Sequence, residues 1–260
     1  MDRFADAARG RRHNRAMTSL DTWTRDLHEG EDGTTRPTYT KGSGPGVIVI
    51  HELPGMTPDV IAFGEDVVAA GYTVVMPVLF GTPGTTMSFS SLTSSLIQVC
   101  TSSEFTKLAT GKTAPISAWL RSLSRTLHAE VGGPGVGAIG MCFTGGYALA
   151  MMVDESVTAP VVAQPATPFA IGKKRGASLN LSPADQEAMV ARANAGCPVL
   201  GLRYRDDKAT GTRFQTLETL LGDNFVGVEF DGKGHATLTE HRQQEAVDRV
   251  LAFLGERLRA

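Results

Sequence analysis

The sequence is poor in cysteine, and this excludes several classes of protein. Cys100, Cys142 and Cys197 are its three cysteines among 260 residues, and no two of them form a CxxC pair. An odd number of widely spaced cysteines argues against the disulfide framework of a secreted protein. We therefore predict a cytoplasmic protein whose cysteines are reduced.

The chain also lacks an excess of charge of either sign. It has 25 lysines and arginines against 27 aspartates and glutamates, which leaves a formal net charge of −2. This balance provides no electrostatic reason to expect nucleic acid or an anionic membrane as the main partner. The sequence predicts a small molecule as partner. A monomer is the simplest expectation, with an oligomer left open.

No uninterrupted apolar run is long enough to predict a membrane span. The stretch from Val131 to Val153 carries no charge, and an apolar helix of about 20 residues can cross a bilayer. However, Pro134 and glycines interrupt it along its length. A buried strand, a tight turn and a buried helix explain this stretch better. With 42% hydrophobic and 20% charged residues, the chain can instead bury a sizeable core.

The N-terminal part shows no regular pattern. Residues 1–16 are rich in arginine but contain no apolar segment of the kind found in a secretory signal. We expect residues 1–45 to form an extension and leader, disordered in part. Residues 46–260 are then expected to form a single domain.

From Gly46 onward, short apolar runs rich in β-branched residues alternate with segments of helical period. Strands are predicted at 46–50, 72–76, 136–141, 157–163, 199–204 and 225–230. Helices are predicted from Thr57 onward and at 114–130, 143–153, 182–195, 214–221 and 238–258. Residues 81–111 have no clean period and are predicted as a loop with short helical pieces. This alternation predicts an α/β fold of three layers, a mostly parallel sheet with helices on both faces.

Because ligands of such folds bind beyond the carboxyl ends of the strands, the candidate functional residues are expected at those positions. Residues 140–146 read Gly-Met-Cys-Phe-Thr-Gly-Gly, where a predicted strand meets a predicted helix. This context predicts a nucleophile elbow with Cys142 at its apex. Gly140 provides the small neighbour that the turn requires, whereas Thr144 does so imperfectly. The following helix N-terminus favours a thiolate, although a buried, inert cysteine is the alternative.

The same region contains a G-x-G-x-x-G match at residues 135–140. A dinucleotide site requires this motif to follow a strand and to open a helix. Here the motif itself makes up the predicted strand. A nucleotide-dependent oxidoreductase is therefore a weak alternative.

A nucleophilic cysteine requires a base, and the base requires an orienting acid. In unrelated catalytic triads on this kind of fold, the chain order is nucleophile, acid, histidine. His235 follows the last predicted strand in a glycine-rich loop, where it can reach over the sheet edge. The acid is expected after the strand at 199–204, where Asp206 and Asp207 are adjacent. Spacing alone does not choose between them.

The segment His51-Glu52-Leu53-Pro54-Gly55 follows the first predicted strand. In hydrolases of this architecture, the loop here supplies one oxyanion N–H, and the residue after the nucleophile supplies the other. Pro54 has no N–H, so the predicted donors are Leu53 and Phe143. The Glu52 carboxylate could hold the Cys142 thiol or orient the loop, or it could simply be solvated.

From Gly46 to the C-terminus, these motifs in this order resemble the dienelactone hydrolase family of α/β-hydrolases. The resemblance implies that Cys142 is the nucleophile, His235 the general base and acid, and Asp207 the orienting carboxylate. It implies that Glu52 contacts the resting cysteine, and that Leu53 and Phe143 are the oxyanion donors.

Two features depart from the family pattern. Thr144 precedes the glycine pair of the elbow, and Thr239 stands where the family places an arginine that binds the substrate carboxylate. A second such arginine is missing after the strand at 72–76. The resemblance therefore predicts the hydrolytic machinery and leaves the substrate open.

The sequence as a whole predicts a hydrolase of ester or lactone bonds that needs no cofactor and no metal. One alternative is a binding protein that keeps the elbow only as structure. Another is a thioesterase or a carbon–carbon hydrolase on the same fold.

Overall fold

The computed structural model describes residues 19–105 and 111–259. Its central sheet has eight strands, seven of which follow short apolar or β-branched runs. The strands are β1 (Thr24–Glu29), β2 (Thr35–Lys41), β3 (Gly46–Ile50), β4 (Thr73–Pro77), β5 (Val136–Met141), β6 (Val157–Ala163), β7 (Val199–Tyr204) and β8 (Phe225–Phe230). They lie in the order β1-β2-β4-β3-β5-β6-β7-β8. β1 and β2 are antiparallel to their neighbours, and the other pairs are parallel.

Helices cover both faces of the sheet. They are α1 (Pro58–Ala69), α2 (Phe89–Thr101), α3 (Ile116–Val131), α4 (Gly145–Met151), α5 (Lys173–Ala177), α6 (Pro183–Asn194), α7 (Arg213–Leu221) and α8 (Gln244–Leu258). Successive side chains of a strand point to opposite faces. In β3, Val47 and Val49 accordingly pack with α1 and α8, whereas Ile48 and Ile50 pack with α3 and α4. The three-layer α/β architecture predicted from the sequence is confirmed.

The predicted strands from Gly46 onward are all present, with β4 shifted by one residue. The uncharged stretch from Val131 to Val153 is divided among the end of α3, β5, a turn of 3-10 helix and α4. In the part of the chain that the structure describes, no helix combines the length and hydropathy needed to cross a membrane.

The sheet begins earlier than the predicted domain start at residue 46. β1 and β2 extend it, with β2 paired to β4 from Thr38 to Lys41. The six β1 residues are exposed or only partly buried, because this strand lies at the sheet edge. An edge strand held by main-chain hydrogen bonds needs no apolar pattern, and so no hydrophobic periodicity marks it in the sequence. The predicted disordered extension at 1–16 lies outside the described residues.

Three helices also differ from the prediction, among them the short α5, which was not predicted. Within the segment predicted as a loop, α2 is a helix whose N-terminus is capped by Ser88 and whose buried residues are Ser95 and Val99. Its many serines and threonines are weak helix formers, which explains why no period was visible. The last helix begins at Gln244 rather than at 238, because residues 237–241 form turns instead.

Candidate active site

The predicted elbow lies at the carboxyl end of the central strand β5. Cys142 has a φ of 51°, in the left-handed region that non-glycine residues rarely adopt. A Cβ on Gly140 would lie 2.4 Å from the carbonyl oxygen of Thr144, and one on Gly145 would lie 2.8 Å from Cα of Pro165. Glycine is therefore required at both positions. The strained turn directs the half-buried Cys142 away from the sheet.

Thr144 contributes to the elbow rather than disturbing it. Its hydroxyl oxygen accepts a hydrogen bond from the Met141 N–H at 3.0 Å and lies 3.1 Å from the Ile50 carbonyl oxygen, to which it donates. The side chain is fully buried. A threonine here joins the end of β5 to the end of β3, the strand that leads into the predicted oxyanion loop.

Phe143, the residue after Cys142, is anchored by its side chain. The Phe143 ring is fully buried and makes edge contacts with Phe80, Phe105 and Tyr147, at centroid distances of 5.6, 6.0 and 6.1 Å. The hydrogen bonds of the described residues include none donated by the Phe143 or Leu53 backbone N–H. Both N–H groups are therefore available to an incoming oxygen atom.

His235 contacts one of the two candidate acids. Its Nδ1 lies 2.8 Å from Oδ2 of Asp207, to which it donates because a carboxylate is an acceptor only. The Asp207 carboxylate also accepts from the Thr210 hydroxyl at 2.6 Å and from the Ala209 N–H at 2.9 Å. The Asp207 side chain is 6% exposed, whereas Asp206 points into solvent.

The surroundings of this pair favour its charged form. Burial raises the pKa of Asp207, but the hydrogen bonds from His235, Thr210 and Ala209 outweigh it and hold the pKa below its usual value. Burial also lowers the pKa of His235. The hydrogen bonds and negative charges of Asp207 and Cys142 reverse that effect and raise this pKa well above that of free imidazole. The imidazolium is thus stabilised between two acidic groups.

Glu52 is 3% exposed and lies against the same pair. Its Oε1 accepts a hydrogen bond from the Thr239 hydroxyl, and its Oε2 accepts from the Gln164 amide at 3.3 Å. Burial raises the pKa of Glu52, against the opposing effects of these two donors and of the charge of His235. Glu52 is therefore a fixed acid, not the solvated loop residue that was one alternative.

His51 holds the loop that carries Glu52. It is fully buried, and burial lowers its pKa to about 4, so the ring is neutral. Its Nε2 accepts from the Leu79 N–H at 3.1 Å, and its Nδ1 donates to the Glu52 carbonyl oxygen at 3.2 Å. The imidazole thus connects the loop after β3 to the segment after β4.

Sequence reasoning missed Gln164, which follows β6. Besides its bond to Glu52, its Oε1 accepts from the Thr237 N–H at 3.2 Å and from the Thr237 hydroxyl at 2.8 Å. Gln164 therefore joins the glutamate to the loop that carries His235. The sequence did contain a signal for Gln164, since it is a polar residue that directly follows a predicted buried strand.

Arg213, at the start of α7, was missed as well. It is fully buried, and its guanidinium donates to backbone carbonyls alone. Burial lowers its pKa to about 10, against the negative charges of Asp207 and Cys142, so it remains charged at neutral pH. The acceptors are the carbonyl oxygens of Pro165, Pro168, Arg175, Ser178, Ala209 and Thr210. Arg213 thus joins the loop after β6 to the loop of Asp207.

Arg213→Met is expected to lower the free energy of unfolding by roughly 3–5 kcal/mol, because it leaves several buried carbonyls without a donor. Chemical denaturation measures this loss. Arg205→Met is the matched control, since Arg205 is 60% exposed and pairs with Asp231 at the surface. That control is expected to cost no more than about 1 kcal/mol. Equal losses in the two variants would contradict the bracing role.

Three groups at this site could bind a metal ion. One ligand atom from each of Glu52, Cys142 and His235 lies within 4.8 Å of the other two. Among residues 19–105 and 111–259, these three are the acidic, histidine and cysteine side chains that lie close enough together to share one ion. The glycine motif at 135–140 offers no nucleotide loop, because from Val136 onward it forms β5 itself.

A cavity of about 370 Å³ lies beside the predicted oxyanion loop. It is bounded by Pro54 and Gly55 on one side and by α2 on the other. Its polar side chains are neutral, namely Thr82, Thr85, Ser91, Ser94, Ser95 and Gln98. Ser95 donates to the Pro54 carbonyl oxygen at 2.5 Å, so α2 is joined directly to this loop.

Solved structures share this architecture. An α/β hydrolase from Penicillium sp. sh18, GrgF, is 12% identical with a TM-score of 0.64, covering 92% of this chain and 99% of its own. A Klebsiella pneumoniae protein described as a dienelactone hydrolase is 17% identical with a TM-score of 0.59, covering 90% and 97%. An esterase from Exiguobacterium antarcticum is 11% identical with a TM-score of 0.60, covering 89% and 99%. At these identities the likeness shows the fold alone.

The sequence itself matches a family model. No curated protein sequence matches significantly. The model of the dienelactone hydrolase family, however, matches residues 34–255, which is most of the chain. The match begins inside the leader predicted for residues 1–45 and includes β2, one of the two strands found there. The chain therefore belongs to the dienelactone hydrolase family, and it is a hydrolase of the α/β fold.

Proposed function

We propose that this protein hydrolyses the ester or lactone bond of a small molecule, with Cys142 as nucleophile. The observation that carries this proposal is the arrangement of three side chains at one sheet edge. Asp207 holds Nδ1 of His235 at 2.8 Å, and a ligand atom of His235 lies within 4.8 Å of that of Cys142. A nucleophile, a base and an orienting acid in this arrangement suit acyl transfer.

In the first half of the reaction, the Cys142 thiolate attacks the carbonyl carbon of the substrate. The carbonyl oxygen becomes an oxyanion, which the N–H groups of Leu53 and Phe143 stabilise. When the tetrahedral intermediate collapses, the C–O bond of the ester breaks. His235 donates its proton to the departing alkoxide, and an acyl-thioester remains on Cys142.

In the second half, His235 acts as a base. It removes a proton from a water molecule, whose oxygen attacks the thioester carbonyl. The C–S bond breaks, the carboxylic acid leaves, and the Cys142 thiolate and His235 imidazolium are restored. Asp207 stays ionised throughout, because its role is to orient the ring and to stabilise its positive charge.

Glu52 supports the resting nucleophile in this scheme. Its carboxyl group lies within 4.8 Å of the Cys142 sulfur and is held from behind by Thr239 and Gln164. Burial raises the pKa of the Glu52 carboxyl group, because it disfavours the charged form. Glu52 then keeps the cysteine in place until the substrate displaces this contact.

The substrate is expected to be neutral around the reacting carbonyl. Arg213 is a buried cation whose charge interacts with Cys142, but carbonyl oxygens of the protein occupy its donors. Thr239, which stands at the position of the family's arginine, donates to Glu52. The cavity beside the oxyanion loop is lined by hydroxyl and amide groups. These groups suit an oxygen-rich, uncharged substrate better than a carboxylate.

The proposal predicts a covalent acyl-enzyme on Cys142. The wild-type protein is mixed with a short activated ester, quenched and analysed by intact-mass and peptide mass spectrometry. We expect the added acyl group on the peptide of Cys142, with Cys100→Ser as a control, since Cys100 is the exposed thiol.

We also expect neutral esters to be hydrolysed faster than esters with a carboxylate beside the carbonyl. No turnover of any ester or lactone would favour the binding-protein alternative.

A further inference from the structure

The three side chains around the nucleophile have the composition of a zinc site. Glu52 offers an oxygen, Cys142 a sulfur and His235 a ring nitrogen, all within 4.8 Å of one another. In a tetrahedral zinc site with bonds of about 2.0–2.3 Å, ligand atoms lie roughly 3.3–3.7 Å apart. Side-chain movements of about an ångström would bring these three atoms to that spacing.

The groups behind the ligands also match those of zinc sites. A histidine that binds a metal almost always donates its other ring N–H to a carboxylate or carbonyl, which fixes the ring orientation. Asp207 accepts such a bond from Nδ1 of His235, leaving Nε2 for an ion. Thr239 and Gln164 hold the oxygens of Glu52 in the same way. Two of the three ligands are thus oriented by neighbours.

The ligand types select among metal ions. A thiolate is a soft ligand that binds Zn²⁺, whereas Mg²⁺ and Ca²⁺ require oxygen ligands. Three protein ligands are typical of zinc sites that keep a fourth position for water. Cys142 and His235 are each partly exposed, so an ion in solution can reach them.

We propose that the catalytic residues bind one Zn²⁺ ion reversibly, through Glu52, Cys142 and His235, and that the bound ion blocks hydrolysis. The sulfur, the carboxylate oxygen and the ring nitrogen each provide an electron pair. The proton on that ring nitrogen, and any proton on the Glu52 carboxyl group, leave to solvent, and a water molecule fills the fourth position. No oxidation occurs, and a chelator that removes the ion restores the free thiolate.

The blocking effect rests on the proposed function, because it needs Cys142 and His235 to be the nucleophile and base. Metal binding itself does not depend on turnover. The two are therefore measured separately, binding by spectroscopy with cobalt chloride and inhibition by ester hydrolysis with zinc chloride. Co²⁺ replaces Zn²⁺ in such sites, and a thiolate ligand adds a charge-transfer band in the near ultraviolet.

We expect the full-length protein to bind one Co²⁺ per chain with this band, and zinc chloride to displace it. Zinc chloride should inhibit ester hydrolysis, EDTA should reverse the inhibition, and magnesium chloride should have no effect. The band should vanish in Cys142→Ser and remain in Cys100→Ser. Glu52→Gln should weaken Zn²⁺ binding by at least about 10-fold, whereas Glu240→Gln, at an exposed carboxylate nearby, should not change it.

The proposal is overturned if wild type shows no charge-transfer band, or if the band persists in Cys142→Ser. Loss of the band in Cys100→Ser would place the ion at the exposed thiol and would also overturn it. A protein that binds Co²⁺ with the expected band but hydrolyses no ester would retain the metal site and reject the proposed function. A protein that hydrolyses esters but shows no charge-transfer band would retain the proposed function and reject the metal site.

Discussion

Cys142→Ala is expected to lower kcat for ester hydrolysis by at least about 10³-fold, because it removes the thiol that we propose as the nucleophile. The fold should persist, since alanine lacks only the sulfur and the half-buried side chain leaves little empty space. The strained φ of 51° is set by the elbow, and any non-glycine residue there bears the same strain. Steady-state kinetics with an activated ester measures the loss, and circular dichroism checks the fold.

Matched variants separate a nucleophile from a cysteine that merely fills space. Cys142→Ser keeps the shape and offers a hydroxyl, so partial activity is expected from it. Cys100→Ser and Cys197→Ala alter the other two thiols, exposed and buried respectively, and both should keep wild-type kcat. Activity of Cys142→Ala close to that of wild type would refute the catalytic assignment.

His235→Ala is expected to lower kcat by about 10²–10⁴-fold, the usual contribution of a positioned general base. His235 lies between Asp207 and Cys142, and without it neither the leaving alkoxide nor the attacking water exchanges a proton with the protein. Combining His235→Ala with Cys142→Ala should cost little more than the cysteine change alone, because the two groups act as a unit.

The acid provides a sharper comparison, because two neighbouring carboxylates differ in their contacts. Asp207→Asn removes the charge that orients the ring, and it should reduce kcat by up to about 10⁴-fold. Asp206→Asn makes the same chemical change one residue earlier, at a side chain that points into solvent. It should leave kcat within about twofold of wild type, since surface changes rarely exceed ±0.5 kcal/mol. Equal effects of the two variants would contradict the role of Asp207.

Much of the fold could be predicted from the sequence because its signals are local. Runs such as Gly46–Ile50 and Val136–Met141 are apolar and bounded by glycine, proline or polar residues, as buried parallel strands require. The elbow was recognisable for the same reason. Glycines are needed in the elbow because neighbouring backbone segments approach each other closely there. Thr57-Pro58 similarly predicted the start of α1, where the Thr57 hydroxyl accepts from the Val60 N–H.

The elements that escaped prediction lack such local signals. β1 is stabilised by pairing with β2, and its side chains are exposed or only partly buried. α2 packs only a narrow stripe against the rest of the protein, and its serines and threonines weaken the helical pattern. In both cases tertiary contacts, rather than composition or periodicity, determine the secondary structure.

The sequence by itself determined the strand order along the chain, the elbow and the set of candidate catalytic residues. Spacing left the choice between Asp206 and Asp207 open and the resemblance favoured Asp207, whereas the tertiary structure shows the contact of Asp207 with His235 directly. It alone showed that Glu52 is fixed by Thr239 and Gln164, and that buried Arg213 braces the loop of Asp207. The physical reason is distance along the chain. These contacts join the ends of strands that are far apart in sequence, and their directions depend on how the whole sheet assembles.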